Sequence, residues 1–293
     1  MTVKNGPLRT VVTFVAAIIL LACPAFAADP LYGVVESLTT SYLNRTPFDV
    51  LGSQITLEEA RKIQERFVRE IGRVYGPIVG YKVALTNPAV QRRFNVSHPL
   101  RGVLLERMVL KNGARLTADF GIRPMVEGDL MVQVGSESIN NAITPQEALA
   151  AIDAVIPFIE LPDIVYGEGV RIDGAAIVAI NTGARYGVVG DPILVAPTDE
   201  WERRLAEVKV TLLDGEGKRL AEGRGSNLLG HPLKVLLWLV DSLKAEGKGL
   251  KAGDLISLGS ITRMAPVQPG LTVRGRYDGL DPGGPIEVSV SFE

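Results

Sequence analysis

The stretch RPMVEGDLMVQV, residues 123–134, sets the problem for this chain. Val126, Leu130, Val132 and Val134 fall in one register of a two-residue repeat, the pattern of a β-strand. The other register carries Glu127 and Asp129 on a shared face. At about 3.3 Å of rise per residue, the two carboxylates stand roughly 6 to 7 Å apart along the chain. Like charges that close oppose each other unless water or a cation lies between them. Taken alone, the pattern describes the solvated outer face of an edge strand.

Upstream, TLEEARKIQERFVREIGRVYG predicts an amphipathic helix. Thr56 and Glu59 form a capping box, Ala60, Ile63, Phe67, Ile71 and Val74 recur at helical spacing, and Gly76-Pro77 stops it. IVGYKVALT then predicts a strand carrying Lys82. Downstream, TPQEALAAIDAV predicts a second helix, capped by Thr144 with Pro145 and Glu147 in place and ended by Pro157. PFIELPD leads into an extended segment with Glu160, and a third helix runs from Pro232 to Gly247. Short strands with turn signals follow to the end. Irregularly spaced helices and more numerous strands, with no βα alternation, predict an α+β fold with a largely antiparallel or mixed sheet. A helical N-terminal portion up to about residue 75 is expected to pack on it.

The first residues predict an export signal. Lys4 and Arg9 form a basic segment, Val11 to Ala22 an apolar run, and Ala25-Phe26-Ala27 a cleavage pattern that puts the mature start at Ala28. The run is too short to span a bilayer. A lipid-modified Cys23 is the lesser alternative, because Leu21 and Pro24 fit that pattern poorly. The expected location is periplasmic or secreted, with no membrane association after cleavage. Loss of Lys4 and Arg9 takes the formal charge from −2 to −4. A mildly acidic chain has no bulk attraction to nucleic acid. The single cysteine leaves with the signal, so intrachain disulfides are excluded and stability rests on the core. At this length roughly 70 to 75% of the unfolded surface can be buried, in one large domain or one plus a small one.

Several chemistries are absent from the pattern. His98 and His231 lie far apart with no partner at zinc-ligand spacing, and there is no nucleophile elbow, phosphate loop or dinucleotide fingerprint. Arg185 and the arginines around Arg203 read as solvated or ion-paired. What remains is acidic: Glu127 and Asp129 on one strand face, and Glu160 between apolar neighbours. A carboxylate in such company is exposed, paired or metal-bound, since burying it alone is costly. An all-oxygen set suits a hard cation, Mg²⁺, Mn²⁺ or Ca²⁺. Lys82, in an apolar strand, is either a proton carrier with a lowered pKa or a lysine reaching out from a strand edge.

At these residues the chain resembles a known family. GYKVALTNPAVQRRFNVSHPLRGVLLERM, VEGDLMVQV, AIDAVIPFIELPD and SNLLGHPLKVLLWLVDSLKAEGKGLKAGDLISLGSITRMAPVQPG occur in order. Together they resemble the 2-keto-4-pentenoate hydratase and oxalocrotonate decarboxylase branch of the fumarylacetoacetate hydrolase family, over nearly the whole mature chain. The resemblance implies a mixed β-sheet roll, with residues 28–105 as an N-terminal α/β portion and 106–293 as the catalytic domain. It implies Mg²⁺ or Mn²⁺ held by Glu127, Asp129 and Glu160, an active-site Lys82, pocket-lining Ser260 and Thr262, and a supporting Asp163. The implied activity is hydration of a 2-hydroxydienoate through a metal-stabilised enolate of a small 2-oxo acid, by a homo-oligomer. Decarboxylation of a 2-oxo diacid, or non-catalytic binding of a 2-oxo acid by an exported protein, are the alternatives.

Departures from the family pattern bear on the reaction. Pro99-Leu100-Arg101-Gly102 lacks an acidic residue that relatives carry, Ile180 precedes Asn181 where an acid is usual, and no basic residue follows Asp163 closely. Asp129 is one methylene shorter than the usual glutamate.

Overall fold

The protein is seen here as a computed structural model that describes residues 1–2, 30–49 and 55–293. The signal expected over residues 1–27 lies, from residue 3 onward and with Cys23 inside it, outside the described residues.

Two helices lead, α1 (Pro30–Asn44) and α2 (Leu57–Tyr75). The capping box forms at the start of α2: Thr56 accepts from Glu59 N, and the Glu59 carboxylate accepts from Thr56 N at 2.8 Å. Ala60, Ile63, Phe67 and Ile71 are fully buried, whereas Val74 of the same stripe is exposed. α1 packs across α2, with Tyr42 edge-on to Phe67 at 5.2 Å. Strands β1 (Ile78–Ala84), β2 (Leu100–Leu105), β3 (Val109–Lys111) and β4 (Ala114–Leu116) follow, with a short α3 (Pro88–Arg93) between the first two. Next come β5 (Met125–Val134), α4 (Pro145–Ala150), β6 (Ile152–Leu161) and α5 (Gly174–Ala179). The chain continues through β7 (Tyr186–Val189), β8 (Ile193–Leu194), α6 (Asp199–Glu207), β9 (Lys209–Leu213) and β10 (Arg219–Arg224). It ends with α7 (Pro232–Lys244), β11 (Leu255–Ser257), β12 (Ala265–Pro266), β13 (Thr272–Asp281) and β14 (Gly284–Phe292).

Among the described residues these strands form two sheets. The larger runs β2-β1-β11-β5-β6-β7-β3, with β12 added to β5 and β8 to β6; the smaller runs β10-β9-β13-β14-β4. The larger sheet is mixed: β1 lies parallel to β11 and β3 parallel to β7, and the other pairs are antiparallel. The α+β architecture expected from the sequence is present. The residues on either side of 105 share one sheet, since β2 pairs with β1 and β1 pairs with β11 of the later segment.

Strand β5 is not an edge. It pairs with β11 on one side and β6 on the other, and both of its faces are buried. Val126, Leu130, Val132 and Val134 enter the main core, which the larger sheet shares with Val210, Leu212, Tyr277, Val288 and the apolar face of α7. Truncating Leu130 to alanine there costs about 2–5 kcal/mol. On the opposite face, Val79, Leu104, Met131, Ile156, Phe158, Val189 and Leu255 come from six strands and close on one small cluster. On the same face Lys82 of β1 pairs with Glu160 of β6, three places away in the sheet and so about 14 Å apart if it were flat; the sheet therefore curls, and the Glu127 face is the inside of a roll.

The second predicted helix is cut short. It keeps its Thr144 cap but stops at Ala150, and Ile152–Leu161 is strand, with Pro157 opposite Leu130. Pairing with β5 outweighs the helical propensity of the alanines, because Val155, Ile156, Phe158 and Ile159 fill both faces of the sheet. A proline inside a central strand removes a ladder donor. Beside it the Tyr277 hydroxyl enters the ladder, accepting from Phe158 N at 3.0 Å and lying 3.0 Å from Asp129 O.

Candidate active site

Glu127 lies opposite Glu160 in the β5–β6 ladder, and Asp129 lies opposite Phe158. Paired residues share a face, so all three carboxylates project into the roll. Their exposures are 4%, 0% and 3% for Glu127, Asp129 and Glu160, which excludes a solvated outer face. Burial, reinforced by the charge of Glu160, pushes Glu127 up to about 8, while Lys82 and the Ser260 hydroxyl oppose the shift. Burial and the same neighbour also hold Asp129 well above the usual carboxylate range, against hydrogen bonds from the Ser257 hydroxyl and Leu130 N.

Lys82 stands on β1 with Gly102 of β2 and Ser257 of β11 in register on either side. It is buried and pairs closely with Glu160 Oε1; it also donates to the carbonyl of Thr182 at 3.0 Å. The apolar strand therefore carries an inward lysine, not one reaching out from an edge. The Thr182 carbonyl comes from a turn after α5, in which Asn181, Thr182 and Gly183 have φ of 55°, 53° and 71°. For a β-branched residue such as Thr182 this left-handed conformation costs about 1–2 kcal/mol.

The remaining expected residues divide. Ser260 bonds to Glu127 and so belongs with the carboxylates. The Thr262 hydroxyl accepts from Gly128 N at 2.9 Å, which pins β5 between its two acids. Asp163 is fully buried, and its Oδ1 accepts from Ile122 N and Arg123 N at 2.9 and 2.8 Å, fixing the loop into β5. Its Oδ2 has no partner, and burial raises its pKa. Leu100 and Ile180, where acids were expected, sit in the apolar cluster beneath α1 and α2. Arg101 supplies no replacement, since it turns to Ser242 and Glu246.

Arg185 corrects an expectation. It is neither solvated nor ion-paired but buried, donating to Phe120 O at 3.0 Å and Tyr42 O at 2.7 Å while lying 4.1 Å from the Tyr42 ring centroid. Backbone carbonyls and a ring face satisfy its charge. Arg203, by contrast, is exposed and paired with Glu207. Ser257, Tyr277, Asn181 and Thr182 escaped the sequence reading. Their contacts with the site are all long-range, and only the Gly-Ser-x-Thr loop beside Ser257 gave a local signal.

The donor set can be tested against a divalent cation. Ionised, Glu127, Asp129 and Glu160 bring three negative charges into the roll against the one positive charge of Lys82. The difference is the charge of one divalent ion, and the all-oxygen donors suit a hard one. Among the described residues no three acid, histidine or cysteine side chains already converge on a common point. Glu160 faces Lys82 and Asp129 faces Ser257. The residues fit a cation in kind and charge.

A curled mixed sheet whose inner face carries three carboxylates and a lysine is a site suited to chemistry assisted by a hard divalent cation. No family model matches the chain. A 2-keto-4-pentenoate hydratase of Paraburkholderia xenovorans (strain LB400) is 30% identical over 194 residues, covering 66% of this chain and 70% of that protein. A 4-oxalocrotonate decarboxylase of Pseudomonas putida is 28% identical over 227 residues, 78% of this chain and 84% of that one. The structure of 4-oxalocrotonate decarboxylase from Pseudomonas putida G7 complexed with magnesium and adipate superposes with a TM-score of 0.78 at 26% identity, over 90% of this chain and 97% of that one. The chain belongs to the 2-keto-4-pentenoate hydratase and 4-oxalocrotonate decarboxylase branch of the fumarylacetoacetate hydrolase family.

Proposed function

We propose that the protein is a lyase dependent on a divalent cation, Mg²⁺ or Mn²⁺, that hydrates a 2-hydroxydienoate, the enol form of a small 2-oxo acid. The observation that carries the reading is the inward triad Glu127, Asp129 and Glu160 beside Lys82, with one divalent charge wanting. Glu127, Asp129 and Glu160 would hold the cation, which would supply Lewis acidity to a bound 2-oxo acid. Lys82 Nζ holds the proton to be moved. As a substrate carbon gains or loses a proton, Lys82 would give that proton up or take it back, and Glu160 Oε1 pairs with the ammonium in the metal-free protein. Ser257 and Tyr277 hold Asp129 by its carboxylate and its backbone, and Thr262 holds Gly128, so the β5 backbone is fixed where it carries its acids.

Decarboxylation of a 2-oxo diacid is the second reading, favoured by the 26% identical decarboxylase that shares the fold along nearly its whole length. Steady-state hydration of a 2-hydroxydienoate, set beside CO₂ release from 4-oxalocrotonate, separates the two. Cation-dependent hydration is expected to fall by about 10² to 10⁴ in Lys82→Met, the usual cost of losing a general acid or base. Glu127→Gln and Glu160→Gln are expected to lose the thermal stabilisation that Mg²⁺ gives the wild type. Equal cation shifts in all three proteins would move the site elsewhere. Oxalate binding with neither reaction would make the protein a 2-oxo-acid binder.

A further inference from the structure

Thr182 is held at a φ of 53° between Asn181 and Gly183, which are also left-handed. Such a run persists only where the surroundings over-determine it. Here they do so three times. Asn181 turns its amide onto edge strand β2, accepting from Val103 N at 2.8 Å and donating to Val103 O at 2.9 Å. Gln64 of α2 donates to the same Asn181 Oδ1 at 3.2 Å and to Arg101 O at 2.9 Å. Beneath the turn, Gly102 leaves bare backbone: a Cβ there would lie 2.3 Å from Thr182 Oγ1 and 2.6 Å from Asn181 O. What this placement achieves is a backbone carbonyl 3.0 Å from Lys82 Nζ.

We infer that Asn181 is a positioning residue for proton transfer, fixing the direction of the Lys82 ammonium through the Thr182 carbonyl, independently of Glu160. The inference rests on the reading of Lys82 as the proton carrier. Glu160 has two duties, as partner of Lys82 and as a cation ligand. A carboxylate drawn toward a cation releases the lysine, whose long stem and rotating ammonium then have many directions open. A neutral acceptor built into the backbone stays in place when Glu160 turns. Misplacing a reacting group by about 1 Å can cost about 10²-fold in rate.

The test follows hydrogen exchange at C3 of 2-oxopentanoate in D₂O with Mg²⁺. A C3 proton is removed and a solvent deuteron is returned to the same carbon, so the compound is otherwise unchanged. Wild type, Asn181→Asp, Lys82→Met and the double variant form a cycle. Asn181→Asp keeps the acceptor for Val103 N and loses the donor to Val103 O. It is expected to lower kcat by about 10- to 100-fold with KM and the Mg²⁺ midpoint unchanged. In the Lys82→Met background the same substitution is expected to change nothing further. Without metal, the Ala184 amide, which donates to Asn181 O within the turn, is expected to exchange faster in Asn181→Asp. Equal losses in both backgrounds, or a loss confined to KM, would overturn the positioning role. Wild-type exchange in Lys82→Met alone would remove the proton-carrier reading, and the positioning role with it. Should Asn181→Asp not fold, Gln64→Met removes only the outer support of Asn181 Oδ1, and the same cycle with the same criterion decides.

Discussion

Glu127 shows how a single group links pH to cation binding. Its folded-state pKa, pushed up to about 8 by burial beside Glu160, lies above the ordinary value of 4.5. A raised carboxylate pKa means the folded, metal-free protein holds a proton that the unfolded chain gives up more easily. That contribution is complete below about pH 4.5 and is lost as pH rises toward 8. The metal-free protein is therefore expected to lose stability across this window. A cation displaces the same proton, so the Mg²⁺-induced rise in Tm is expected to grow from pH 6 to pH 8. Thermal melts with and without Mg²⁺ across that range check both signs. A cation shift that is flat with pH would mean Glu127 is already ionised in the metal-free fold.

At the scale of elements, β6 depends on a side chain from another sheet. Tyr277 of β13 supplies the ladder contact at Phe158 N, next to Pro157. Tyr277→Phe keeps the ring and leaves that buried donor unpaired, which is expected to destabilise the fold by about 1–3 kcal/mol. Urea unfolding of the variant measures it, and a change below about 0.5 kcal/mol would show that water takes the place of the hydroxyl. The same elements show what was legible in sequence. α2 was readable because Thr56, Glu59 and the stripe from Ala60 to Ile71 are local signals that the tertiary structure does not contradict. The acids were readable as chemistry, because three carboxylates among apolar residues need a partner. Strand β6 was misread over its first half, since Thr144, Pro145 and the alanines describe a helix until β5 is there to pair with. Ser257, Tyr277 and Asn181 act on residues far away in the chain, so no window of sequence displays them.

At the scale of the whole molecule, the export reading adds a prediction. Basic residues, a short apolar run and Ala25-Phe26-Ala27 place the mature start at Ala28. Intact-mass measurement on protein from its native host is expected to find a chain beginning there. A full-length chain recovered from the cytoplasm would sink the reading, and a lipid on Cys23 would replace it with the lesser one. Among the described residues no helix is long and apolar enough to cross a membrane.

The parallel pairing of β1 with β11 has a bearing on all of this. Lys82 comes early in the chain and Ser257 late, yet they are neighbours in the sheet, with β5 beyond. Nothing that closes before β11 arrives can finish the carboxylate site, and pairings of such long range are slow to form. A chain threaded through a membrane in extended form would carry no ion with it. Its first encounter with a cation would come on the far side, where the free concentrations of magnesium, manganese and calcium are those of the new surroundings and not those of the cytoplasm. The ion found in the mature protein would then record where folding ended.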